Sequence, residues 1–174
     1  PVLFGAGRTD AGVHATGQVA HFDIEHKELD TYSIKTGLNH HLKIYPIPVL
    51  DVTEVDAEFH SRFDAKERKY LYRIINRNSP LSIEKGRAWL VMKNLNLEKM
   101  LACAPIIEGK HDFTTFRSVN CQSKSPIKTL NSCKITQQDD NIYFGFVAPS
   151  FLQHQIRSLV GTIKMVGEGL WDIE

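Results

Sequence analysis

GAGRTDAGVH, residues 5–14, sets three glycines around an arginine and an aspartate. Glycines this dense mark either a tight turn or a backbone that something must approach closely. Three familiar sites fail against these residues. Gly7 and Gly12 have the spacing of a phosphate-binding P-loop, but Val13 and His14 stand where lysine and a hydroxyl residue belong. A dinucleotide fingerprint would need glycine at Asp10. An aspartic protease would read Asp-Thr-Gly or Asp-Ser-Gly and require a second such aspartate, whereas Asp10-Ala11-Gly12 has no counterpart. The plain alternative is an aspartate that caps a turn beside a strand.

Outward from the loop, QVAHF (residues 18–22) alternates as a half-buried strand does, and residues 33–42 suit a short helix. IPVLDVTEV (residues 47–55) reads as another strand. ERKYLYRIIN (residues 67–76) has strong β-propensity, with Tyr70, Tyr72 and Ile74 on one face and Lys69, Leu71, Arg73 and Ile75 on the other. Asn78-Ser79-Pro80 breaks the pattern. Asn96 can cap a helix carrying Leu97, Met100, Leu101 and Ala104, which Pro105 should end early. Strands over 128–136 and 142–148 flank the turn QQDDN. Ser150 and Gln153 have the spacing of a capping box for a last helix. On that helix Leu152, Ile156, Leu159, Val160 and Ile163 form an apolar stripe, opposite His154, Arg157, Gly161 and Lys164. The expected fold class is α+β: two similar α/β halves, residues 1–88 and 89–174, with antiparallel or mixed sheets flanked by helices.

Composition excludes some classes of function. At 174 residues, 42% apolar and 24% charged, the chain has the make-up of an ordinary globular protein rather than a disordered or fibrous one. No apolar run approaches the roughly 20 residues of a membrane span, and the first residues lack a signal-peptide pattern, so a cytoplasmic protein is expected. Cys103, Cys121 and Cys133 are odd in number and widely spaced, and the histidines are scattered. Neither a disulfide framework nor a metal site is expected.

Net charge is only +1, but it is segregated. Between Arg62 and Arg87 eight basic residues face three acids (Asp64, Glu67 and Glu84). From Phe113 to Gln138 Arg117, Lys124, Lys128 and Lys134 meet no acid at all. Such a distribution can present a basic face to a polyanion, or simply supply solvated strand edges.

The stretch GRTDAGVHATGQVAHF (residues 7–22) resembles the signature of the TruA family of tRNA pseudouridine synthases. FHSRF from Phe59, RKYLYRI from Arg68, HDFTTFRSV from His111 and FLQHQIRSLVG from Phe151 match that family in the same order. The resemblance implies the family's fold, with an active-site cleft between its halves. It implies an isomerase that detaches a uracil base from its ribose in tRNA, turns it and reattaches it through carbon, near the anticodon stem-loop at positions 38 to 40. It further implies a homodimer that uses no cofactor and no metal. By position, Asp10 corresponds to the catalytic aspartate, Tyr70 to the tyrosine that stacks on the target base, Arg8 to the arginine that holds the base out, and Arg157 to the arginine that pairs with the aspartate.

Family members carry a Tyr-Asp-Gly and a Gly-Trp-Gln segment before the aspartate motif and continue beyond the position of Glu174. Lys43 replaces a proline usual in the family. The chain is therefore expected to be an internal piece of a synthase, and the competing reading is a non-catalytic RNA-binding fragment. A nucleotide-binding protein built on the glycine loop is disfavoured by the absent P-loop lysine.

Overall fold

The computed structural model of the chain describes residues 1–25 and 28–173. It is α+β, with several small sheets and three α-helices among the described residues. By contacts the chain divides into two units, residues 1–9 with 15–65, and residues 10–14 with 66–174.

In the first unit β1 (Phe4–Gly5) pairs antiparallel with β2 (Ala20–His21). Ser61 pins this short pairing, because its Oγ donates to the Phe4 carbonyl at 3.0 Å and its N–H to His21 Nδ1 at 3.2 Å. Ser61 is the one buried residue among those described in this unit. Helix α1 (Thr31–Leu42) starts at Asp30, whose carboxylate accepts from the Ser33 N–H at 2.7 Å. The strand expected over residues 47–55 does not form. Its backbone is served instead by one side chain: Asn39 Nδ2 donates to the Val49 carbonyl at 2.9 Å, and the Val49 N–H donates to Asn39 Oδ1 at 2.8 Å. A single amide thus replaces the neighbouring strand that the alternation leads one to expect.

The second unit is built on β3 (Arg68–Asn76), which runs antiparallel to β8 (Asn141–Ala148) from Arg68 opposite Ala148 to Ile75 opposite Asn141. On the far side of β3 lies the parallel strand β4 (Trp89–Val91), and on the far side of β8 the antiparallel strand β7 (Ser132–Gln138). The boundary expected at residue 88 therefore falls inside this unit, since the long pairing with β8 draws residues 66–88 into it. A separate ribbon joins β5 (Gly109–Asp112) to β6 (Ile127–Leu130). The single strand expected over 128–136 is in fact β6 and β7, broken at Asn131, whose N–H turns to the Val147 carbonyl at 2.8 Å.

Alternation on β8 places Ile142, Phe144, Phe146 and Ala148 in the core, with Ile74 beside them from β3. Helix α2 (Leu97–Ile107) adds Met100 and Cys103, and helix α3 (Gln155–Gly167) adds Leu159, Val160 and Ile163. Each fully buried side chain of this kind contributes about 1.5–3 kcal/mol. Asn96 caps α2 through the Lys99 N–H as expected, but Pro105 does not stop the helix, which runs on to Ile107 and closes with the Glu108 N–H on the Ala104 carbonyl. The two helices meet closely at Gly167, where an added Cβ would stand 2.7 Å from Met100.

Asn76 ties the end of β3 to the chain that follows. Its Nδ2 donates to the Val91 and Lys93 carbonyls, each at 2.8 Å, and its Oδ1 accepts from the Leu95 N–H at 3.2 Å. Losing three partners at a part-buried position leaves backbone groups unsatisfied. Asn76→Ala should lower unfolding stability by about 2–3 kcal/mol, read as a fall in the urea midpoint at unchanged slope.

The three cysteines are free thiols in unlike settings. Burial pushes Cys103 up, and burial with the nearby Glu108 and Cys103 pushes Cys133 up to about 12. At Cys121 burial acts in the same direction but is outweighed by the backbone N–H groups of Ser123 and Gln153 and the charges of Arg117 and Lys128, so its thiol lies below the ordinary value. Because the thiolate is the reactive form, iodoacetamide at neutral pH should label Cys121 first and Cys133 last, as followed by peptide mass spectrometry over time.

Candidate active site

Asp10 sits on a turn closed by the Val13 N–H on its own carbonyl at 3.1 Å. Gly12 takes φ +80° there, a left-handed backbone that glycine adopts without a Cβ penalty. The turn leaves the aspartate partly exposed, with two basic side chains near the same oxygen. His154 Nε2 lies 3.4 Å from Asp10 Oδ2, and Arg157 Nη1 lies 3.9 Å from it. An ionised carboxylate is the form a nucleophile needs.

Both side chains come from one short segment. Leaving β8, the chain passes Phe151, whose ring meets that of Tyr70 edge to face at 5.1 Å between centroids. Leu152 is buried, and its N–H donates to Gln155 Oε1 at 2.8 Å. His154 follows in the left-handed region at φ 68°, and α3 begins at Gln155. The capping box expected at Ser150 and Gln153 is not what starts this helix. Its reach-back half appears two residues later, where Gln155 serves the N–H three positions before it. One helical turn after His154 lies Arg157, on the polar side opposite buried Leu159, Val160 and Ile163.

Tyr70 is placed by β3, opposite Phe146 in the register with β8 and partly buried. Two positions along, burial pushes Tyr72 up, opposed by the charge of Arg157. Arg8 belongs to the first unit, on the exposed stretch before Asp10. Among the described residues, then, Asp10 and Arg157 are brought together, Tyr70 and Phe151 form a second contact, and His154 joins Asp10. The role of His154 was not singled out from sequence, although its spacing of three from Arg157 on the same helix side was the available signal.

Among the described residues no group of three or more histidine, cysteine or acidic side chains is arranged to hold a metal ion. Among the described residues no helix is long and apolar enough to cross a membrane.

A family model described as tRNA pseudouridine synthase matches residues 104–174. The tRNA pseudouridine synthase A of Parvibaculum lavamentivorans is 48% identical over 169 residues, covering 97% of this chain and 68% of that protein. Its namesake from Ehrlichia ruminantium (strain Welgevonden) is 49% identical over 173 residues, covering 99% of this chain and 70% of the relative. That of Ehrlichia chaffeensis is 50% identical over 166 residues, covering 95% and 67%. With near-half identity running through the aspartate turn, β3 and the segment that leads into α3, the chain belongs to the TruA family of tRNA pseudouridine synthases.

Proposed function

We propose that this chain isomerises uridine to pseudouridine in the anticodon stem-loop of tRNA, at positions 38 to 40, with Asp10 as the nucleophile. The observation that carries the reading is the Asp10 carboxylate held beside His154 and Arg157 on an exposed glycine-bearing turn. An ionised carboxylate there can donate an electron pair either to the uracil ring or to the sugar carbon. The bond from the ribose carbon to N1 breaks, the base turns, a bond from that ribose carbon to ring carbon C5 forms as the bond to Asp10 is released, C5 loses its proton and N1 takes one up. Every atom of the uridine is kept, so the exchange calls for no co-substrate and no redox partner.

The remaining residues fit the steps around that exchange. The target base must leave its helix, at a cost of a few kcal/mol, and an aromatic ring returns roughly 1–3 kcal/mol per stacked base. Tyr70, its tilt set by Phe151, is the ring assigned to this role, and Arg8 is assigned to hold the base out. Arg157 is assigned to pair with Asp10. The whole enzyme is taken to be a cytoplasmic homodimer that works without metal or cofactor.

Asp10→Asn should abolish pseudouridine formation while tRNA affinity stays within a few fold, because binding rests on phosphate contacts. Turnover by that variant would remove Asp10 from the nucleophile role. Tyr70 tests the proton step. Tyr70→Phe keeps the ring, so if the hydroxyl takes the proton lost from the ring carbon it should bind tRNA normally yet react about 100-fold more slowly in single turnover. Tyr70→Leu should in addition lose up to about 3 kcal/mol of base-binding energy. Wild-type rates in both would return Tyr70 to a packing role.

A further inference from the structure

Only Asp139 and His154 among the described non-glycine residues have positive φ, and His154 stands at φ 68° and ψ 0°. A left-handed backbone disfavours any residue with a Cβ. The His154 carbonyl accepts from the Ser158 N–H at 3.0 Å, but its side chain does not serve the helix. An N-cap residue ordinarily accepts a bond from the first turn with a side-chain oxygen, and His154 makes no such bond. A protonated imidazole would moreover face the positive end of the helix dipole. Conflict with local preference and no local return from the side chain is the pattern of a functional position.

What the conformation does achieve is the contact with Asp10. The turn is fixed on both sides of the histidine. Buried Gln155 accepts from the Leu152 N–H, the Ser118 N–H donates to the Gln153 carbonyl at 2.9 Å, and the Gln153 N–H donates to Cys121 Sγ at 3.4 Å. The imidazole is thus aimed by anchored backbone. Arg157 reaches the same carboxylate from a side chain that is 63% exposed, against 36% for His154. Both contacts fall on Oδ2.

The geometry points to His154 as a positioning residue for Asp10: its Nε2 side fixes the carboxylate through Oδ2 so that Oδ1 is the oxygen presented to the substrate carbon. This rests on Asp10 being the nucleophile. Oδ1 supplies the electron pair of the new bond, and the displaced pair passes into the uracil, from the glycosidic bond if the sugar carbon is attacked or from the ring double bond if the base is, while His154 forms no covalent bond. Arg157 brings charge, and His154 brings direction. The 3.4 Å separation is longer than an ordinary N–H···O bond, and contacts of this kind shorten when substrate closes the site.

The test separates the imidazole from the backbone. His154→Gly and His154→Asn both accept a left-handed conformation but lack the imidazole, whereas His154→Ala loses the imidazole and strains the turn. With tRNA as substrate, the Gly and Asn variants should melt as wild type does and keep KM within about twofold, while kcat falls about 10- to 100-fold, the scale of a misplaced reacting group. His154→Ala should show the same loss in kcat together with a lower melting temperature. Wild-type kcat in the Gly or Asn variant, or a loss confined to KM, would overturn the assignment. Asp10→Asn is run beside them: turnover there overturns the nucleophile reading itself, whereas inactivity there with full activity in the His154 variants overturns only the role of His154.

Discussion

The antiparallel pairing of β3 with β8 is the interaction on which the second unit depends. It fixes Arg68 opposite Ala148 and Tyr70 opposite Phe146, so the start of β3 lies beside the end of β8. Tyr70 and the segment that carries His154 and Arg157 leave from that end. The Arg68 guanidinium bonds the Pro149 carbonyl where the chain departs from β8, Phe151 lands on Tyr70, and the turn into α3 follows at once. Because side chains alternate with period two, a slip of one residue would turn Tyr70 to the opposite face and bury Lys69 or Leu71 in its stead. The buried run of Ile142, Phe144, Phe146 and Ala148 opposes such a slip.

Much of this was legible in the chain. The alternation in residues 67–76 and 141–148 and the 3.6-residue pattern after Asn96 mark elements whose apolar faces form the core, and the core is what enforces those periods. The failures have local causes. Residues 47–55 alternate like a strand, yet the Asn39 amide takes the place of a neighbour. GKHD in β5 is polar throughout and becomes a strand only because β6 lies beside it. Asn131 interrupts no hydrophobic pattern, but it moves the chain from one sheet to another.

The site divides in the same way. Asp10 stands in a dense glycine motif and Arg157 on the polar face of a helix, but their pairing was an expectation from the family resemblance rather than from either signal. The contact of His154 depends on a left-handed backbone angle, held by Gln155, Ser118 and Cys121 from separate parts of the chain. No spacing rule encodes such an angle. Ion pairs this exposed contribute little to folding, so the value of the two basic side chains lies in the direction they give the carboxylate.

The central claim is that Asp10 makes the covalent bond to the nucleotide. It is tested most directly by mixing the wild-type protein with tRNA, quenching in acid within the first turnover, and analysing the digested protein by mass spectrometry. The account predicts a nucleotide attached to Asp10, in the peptide that spans residues 7–14, appearing and then decaying as pseudouridine accumulates. A nucleotide attached to any other residue while uridine is being isomerised would contradict it.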